Sequence, residues 1–179
     1  MKELRICSVS DAYICYLRAK IPNVYSNKDQ NRTHTRKYLG VVMDINNYKY
    51  YIPLSSPKKS DYQLAGPSLV IKKSIVPIIR ITRKNRTGDK ELLGTLRISH
   101  MIPVPDSELI PYNIESETDA KYKVLVEEEY SYIHKNRERI CKNVEVMYKQ
   151  KNEGYEADYV SRALNYSELE RMCDEFIGE

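Results

Sequence analysis

Apolar and polar positions alternate in short runs over residues 1–105, and from about Asp119 onward they recur every three or four. Leu4–Cys7 is a short strand. Ser8, Ser10 and Asp11 then offer caps for a helix through about Lys20, with Val9, Tyr13, Ile14 and Leu17 on one side and Ile21-Pro22-Asn23 ending it. Residues 22–35 are polar and aperiodic, a loop longer than most connections. Tyr38–Ile45 and Tyr48–Leu54 read as a hairpin, because Asn46-Asn47 tolerates the positive φ of a two-residue turn. Residues 55–67 read as a second polar loop. Ser68–Ile71, Val76–Arg83 and Glu91–Met101 are further strands, the last two joined by a turn at Arg86-Thr87-Gly88-Asp89.

Pro103 and Pro105 stop the strands. Tyr122, Val126, Tyr130, Ile133, Ile140, Val144 and Met147 then mark one face of a long helix that runs to Lys151 and is closed by Gly154. Ser167-x-x-Glu170 is a capping box opening a last helix, with Leu169, Met172, Cys173 and Phe176 on its apolar face. The pattern predicts one α+β domain: a strongly twisted antiparallel sheet or small open barrel over residues 1–105, and helices over 106–179.

Composition supports a soluble globular chain: 179 residues, 41% hydrophobic and 30% charged, are enough to build a core. No apolar run approaches the roughly 18 residues that span a bilayer, and the N-terminus lacks the apolar stretch of a signal peptide. Cys7, Cys15, Cys141 and Cys173 are scattered without C-x-x-C spacing and read as reduced thiols of a cytoplasmic protein. The three histidines, His34, His100 and His134, make no metal-ligand pattern, so no metal or other cofactor is expected. Charge is unevenly spread. Residues 18–97 carry 17 Lys and Arg against 5 Asp and Glu, whereas residues 105–179 carry 10 against 18. A basic half of this size suits a polyanion, or else the acidic half folds back and neutralises it.

Three stretches carry candidate chemistry. Ser55-Ser56-Pro57-Lys58-Lys59 closes the second hairpin strand; Pro57 weakens the ladder, and hydroxyls beside an ammonium can cradle a phosphate, although a plain strand end has the same composition. The loop before the hairpin gathers Tyr25, His34, Arg36 and Lys37, side chains able to move protons or hold charge, although a solvated loop also fits. Pairing across Asn46-Asn47 brings Arg36 near Ser56. The basic run Lys72, Lys73, Arg80, Arg83, Lys84 and Arg86 is either an RNA-backbone track, with 16 tyrosines available for stacking, or a lysine-guarded sheet edge. His34 apart, the histidines read as structural: His100 beside an apolar run, and His134 on the long helix.

Six stretches in order resemble one family: Ser10-x-x-Tyr13-Ile14-x-Tyr16-Leu17, Ile21-Pro22-Asn23, Arg36-Lys-Tyr-Leu-Gly40-Val-Val, Pro53-Leu54-Ser55-Ser56-Pro57-Lys58, Leu93-Gly94 through Met101-Ile102-Pro103, and Tyr132-Ile133-x-x-Asn136-x-x-x-Ile140. Together they are similar to the ToxN/AbiQ family, endoribonuclease toxins of type III toxin–antitoxin systems neutralised by a structured repeat RNA. The resemblance implies a Kid/MazF-like twisted sheet and metal-independent cleavage of cellular or phage RNA to 2′,3′-cyclic phosphate and 5′-hydroxyl ends. It also implies a partner antitoxin RNA of tandem pseudoknot repeats, held in a closed ring assembly. Ser56 and Lys58 match the family's central pair, Ser55 stands where Thr is frequent, and Arg36 stands where Lys is common. The family's loop tyrosine has no clear counterpart; Tyr25 is one candidate and His34 a second. In such a site Lys58 and Arg36 hold the phosphate, Ser56 and Ser55 hydrogen-bond it or the 2′-hydroxyl, and Tyr25 or His34 handles protons. Lys37 and Lys59 add to the RNA-binding charge. A non-catalytic RNA-binding module fits the same basic face.

Overall fold

The computed structural model describes residues 4–28 and 33–176. Asp29, Gln30, Asn31 and Arg32 of the first polar loop lie outside them. At the centre is the hairpin of β2 (Tyr38–Ile45) and β3 (Tyr48–Ser55), turned by Asn46 and Asn47 at φ 51° and 70°. Around it β6 (Ile78–Lys84), β7 (Lys90–Arg97), β3, β2, β1 (Arg5–Val9) and β9 (Leu109–Pro111) lie side by side, every pairing antiparallel, with β8 (Ile102–Pro103) also on β3 to complete a seven-stranded sheet.

The strand predicted over Glu91–Met101 is divided. Leu96 pairs with Leu54 and Ile102 with Tyr51, so the outer strand advances twice as far as β3. The surplus swings out as a tight 3-10 turn, Ile98–His100, and carries His100 off the ladder. Residues 55–67 are not all loop: β4 (Tyr62–Ala65) and β5 (Ser68–Ile71) form a separate hairpin about Gly66 at φ 62°. Both its faces are largely exposed, Leu64 and Leu69 at 75% and 66%, so no buried stripe announces β4 in the sequence.

Helix α1 (Asp11–Lys20) starts where Ser10 Oγ accepts from the Tyr13 N–H at 3.1 Å. The long helix is two: α2 (Ala120–Lys135) and α3 (Arg137–Asn152), divided at Asn136, whose φ of −111° leaves the helix and whose Nδ2 donates back to the Tyr132 carbonyl at 2.8 Å. The apolar register survives the break, since Val126, Ile133, Ile140, Val144 and Met147 are all buried. After the short α4 (Asp158–Ser161), α5 (Tyr166–Glu175) begins with Asn165 as its cap rather than Ser167. Glu170 turns inward instead of closing a capping box, accepting from the Tyr50 and Tyr148 hydroxyls at 2.6 and 2.7 Å.

One buried cluster runs from Leu4 to Met172 and joins the sheet to α1, α2, α3 and α5. Tyrosine is a core residue here: Tyr13, Tyr38, Tyr50 and Tyr166 are all under 2% exposed. Tyr13 donates to the Pro103 carbonyl at 2.8 Å, so the rings add apolar area without an orphan hydroxyl at that position. Burial removes these four from any RNA-stacking surface. Cys7, Cys15, Cys141 and Cys173 are free thiols, and no helix among the described residues is long and apolar enough to cross a membrane.

Candidate functional site

The open end of the central hairpin sets the geometry. Near the turn Asp44 pairs with Lys49, but beyond a bulge between Gly40 and Asp44 the register has shifted so that Tyr38 faces Pro53. Arg36 thereby comes opposite Ser55. Its Nη1 donates to Ser55 Oγ at 3.0 Å and to the Leu54 carbonyl at 2.9 Å, and its Nε to the Ser26 carbonyl at 2.9 Å. At 4% exposure the guanidinium is interior, joining the loop before the hairpin to the end of β3 and orienting the Ser55 hydroxyl.

Tyr25 sits over this junction. Its ring is 4.8 Å from the Arg36 guanidinium carbon and 5.4 Å from Lys58 Nζ, and it stacks on His100 with centroids 4.6 Å apart. The structure thus brings Tyr25, Arg36, Ser55 and Lys58 together, with Arg36 bonded to Ser55 rather than to Ser56, and His100 joins them where a structural role is expected. The His100 Nδ1 lies 2.9 Å from Ser99 Oγ. Burial, then the positive charges of Arg97, Lys58 and Arg36, push its pKa down to about 4, so the imidazole is neutral at physiological pH.

Lys58 is held by a residue the sequence does not single out. Asp61, fully buried, accepts from the Lys58 N–H at 2.9 Å and returns its own N–H to the Lys58 carbonyl at 2.9 Å. Arg97 and Arg80 neutralise it at 3.1 and 3.2 Å. Arg97 Nε in turn donates to Thr95 Oγ1 at 3.0 Å, and Thr95 Oγ1 lies 3.5 Å from the Ser55 carbonyl. A buried ion network thus underlies Ser55–Lys58, and the segment after Pro57 is fixed rather than loose.

On the other side of the serines is a cavity of about 270 Å³, lined by Thr33, His34, Lys37, Leu54, Ser55, Ser56, Leu93, Tyr122, Leu125 and Glu129. His34 is here, away from Tyr25. It stacks on Tyr122 at 3.8 Å and 5°, with Nε2 3.1 Å from Asp119 Oδ2. Lys37 lies 4.6 Å from the Tyr112 ring centre. Ser56 itself is exposed and lines this cavity, next in the chain to Ser55.

The remaining basic residues spread out. Lys59 is exposed. Lys72 and Lys73 join Lys90, Arg139 and Tyr132 around a cavity of about 310 Å³ whose wall includes Arg80. Arg80 is 5% exposed and committed to Asp61, an internal charge rather than a surface one. Arg83 pairs with Glu91 at 2.8 Å and with Glu128 of α2, so here the acidic half does fold back on the basic half. Lys84 and Arg86 are exposed on the following turn. Among the described residues, no His, Cys, Asp and Glu side chains gather in the groups of three that hold a metal ion.

Comparisons with known proteins bear on the chain as a whole. The family model described as "Toxin ToxN, type III toxin-antitoxin system" matches residues 5–174. Endoribonuclease AbiQ of Lactococcus lactis subsp. lactis is 32% identical over 168 residues, covering 93% of this chain and 86% of AbiQ. Endoribonuclease ToxN of Bacillus thuringiensis subsp. kurstaki is 27% identical over 176 residues, 94% of this chain and 82% of that one. A solved structure describing selective toxin inhibition by a non-coding RNA pseudoknot superposes with a TM-score of 0.79 at 26% identity, covering 97% of this chain and 98% of the other. The structure of AbiQ, a lactococcal anti-phage endoribonuclease, superposes with a TM-score of 0.77 at 27% identity over the same shares. With the match running from the first strand to the last helix, the chain belongs to the ToxN family of toxins from type III toxin–antitoxin systems.

Proposed function

We propose that this chain is an endoribonuclease toxin that cuts cellular or phage RNA without a metal ion, leaving 2′,3′-cyclic phosphate and 5′-hydroxyl ends. It acts in the cytoplasm and is restrained by an antitoxin RNA of tandem pseudoknot repeats, which it processes and holds in a closed ring assembly. Its sheet is read as the open barrel of the Kid/MazF toxins. The observation that carries the activity is the convergence of Ser55, Arg36, Tyr25 and Lys58 within hydrogen-bond and cation–π distance at the end of one hairpin, with Ser56 beside them at a cavity mouth.

In this chemistry RNA supplies its own nucleophile, the ribose 2′-hydroxyl, so the protein must align the attack and stabilise charge on the phosphate. Lys58 meets a phosphate oxygen with its ammonium, and Ser56 hydrogen-bonds the phosphate or the 2′-hydroxyl. Arg36 lends positive potential to the phosphate while its hydrogen bonds orient Ser55. Tyr25, ring-stacked on a neutral imidazole and facing two cations, is the stronger proton carrier of the two sequence candidates. His34 is tied to Asp119 on the far side of the serines. The exposed cations from Lys72 to Arg86, with Lys37 and Lys59, track the RNA backbone.

The test is incubation of RNA with purified protein in EDTA, followed by end mapping, alongside Ser56→Ala. Cyclic phosphate ends from the wild type and none from Ser56→Ala are expected, with unchanged folding of the variant. RNA bound in a salt-dependent way but left intact identifies a binding module instead, cleavage lost in EDTA identifies metal-dependent hydrolysis, and equal cutting by Ser56→Ala removes Ser56 from the site.

A further inference from the structure

Glu129 has no part in the chemistry above, and its position is costly. It lies on the inner face of α2 among Val126 and Ile133, 8% exposed, where a leucine would satisfy packing. Within the described residues its carboxyl has neither hydrogen-bond nor ion-pair partner. Burial alone acts on it, raising its pKa to about 8, so at neutral pH the group is a carboxylic acid with one O–H to donate and one C=O to accept. The chain makes room for it at Gly94, where a Cβ would collide with Glu129 Oε1 and press to 3.1 Å from the Ser55 carbonyl. A buried polar group kept without a partner, with a glycine opposite to admit it, points to a ligand that completes it.

The surroundings say which ligand. The cavity of about 270 Å³ that Glu129 lines has apolar walls from Leu54, Leu93 and Leu125, and the face-to-face Tyr122–His34 pair at one side. Lys37, Ser55 and Ser56 of the same lining can meet the nucleotide's phosphate, whereas the leucines and the neutral acid suit a flat heteroaromatic ring, which finds a stacking partner, apolar contacts and one donor–acceptor pair for its edge. Ser56 lies on the rim of the same cavity.

The geometry points to a nucleobase pocket: the cavity takes the base of an RNA nucleotide adjoining the phosphate at Ser56, and Glu129 reads that base's edge. Glu129 is thus a specificity-determining residue for the cleavage, an assignment that rests on the endoribonuclease reading. A protonated carboxyl matches any edge with a donor beside an acceptor, and it can exchange the two roles by moving its proton. Glutamine keeps one donor and one acceptor but fixes which is which, and leucine removes both.

Cleavage of a random-sequence RNA pool, with sites read by sequencing the ends, tests this for wild type, Glu129→Gln and Glu129→Leu. Wild type is expected to discriminate among bases at a position next to the cut. Glu129→Leu is expected to lose about tenfold or more of that discrimination, with preferences at other positions unchanged. Glu129→Gln, close to isosteric, is expected to shift the preference at that same position, and it carries the test if the leucine variant does not fold. Unchanged base preference in a folded variant overturns the inference. So does a uniform loss of cutting at every sequence, which assigns Glu129 to the chemical step. Wild type that leaves all RNA intact overturns the endoribonuclease reading itself, a result separate from either.

Discussion

Glu129→Gln also makes a prediction about stability that needs no RNA. The carboxyl titrates near 4.5 in an unfolded chain, whereas burial raises it to about 8 in the fold. Below pH 4.5 both states hold the proton and the group adds no pH dependence. Between 4.5 and 8 the folded state binds the proton and the unfolded state has released it, so each rise in pH favours unfolding. At 1.36 kcal/mol per pH unit, the penalty reaches on the order of 3 kcal/mol by pH 7, a large part of the ~5–15 kcal/mol that holds a typical domain together. The groups facing this carboxyl across the cavity are His34, Lys37 and Tyr122, while the neighbouring Glu128 is engaged by Arg83. The glutamine variant has the same shape and no proton to lose. It should match wild type at pH 4.5 and gain on it steadily toward pH 8. Urea denaturation between pH 4.5 and 8, followed by circular dichroism because the chain has no Trp, measures the difference. Parallel pH dependences for the two proteins would show that the carboxyl is ionised or solvated in the fold, and the reasoning would be wrong.

Two further outcomes follow from the ion network and its neighbour. Asp61→Ala leaves Arg80 and Arg97 facing each other without their shared carboxylate and should cost about 3–5 kcal/mol in the same denaturation assay; a loss under about 1 kcal/mol would mean the network carries no weight. His100 stays neutral down to about pH 4 in the fold but charges near 6.5 when unfolded, so the unfolded state gains protons first and stability falls as pH drops through that window, by on the order of 3 kcal/mol at its lower end. His100→Gln should flatten this acid limb, and an unaltered limb would place the acid sensitivity elsewhere.

Much of the site was readable because its parts lie close to a short-range landmark. Asn46-Asn47 can be recognised as a turn from two residues alone, and a hairpin so turned must bring Arg36 toward the serines at its open end. Ser10, Gly154 and the α2–α3 apolar register are likewise local. The six ordered motifs carry the family, and with it the expected roles of Ser56 and Lys58. Three features were harder. The bulge between Gly40 and Asp44 determines that Arg36 meets Ser55, and no residue type there announces it. The 3-10 turn that delivers His100 to Tyr25 arises because β7 and β8 share one edge of β3 with residues to spare. Asn136 is a moderate helix former that ends a helix by folding its amide back onto the preceding turn.

Charge shows the same division. Counting along the chain reveals a basic half and an acidic half, but not which cations are spent inside. Arg36 and Arg80 read as surface groups until burial reveals them bonded to backbone carbonyls and to Asp61. Glu129 reads as one more acid in a run of three on a helix; only the helix's rotation against the sheet turns Glu128 toward Arg83 and Glu129 toward Gly94 and the cavity. The sequence by itself determined the central hairpin, its open end near the serines, and the apolar register of the helices, since these depend on neighbours within a few positions. Tertiary structure decided which side chains are buried, which protons they keep and which of them share a cavity, since dielectric surroundings and contact depend on residues brought together from distant parts of the chain.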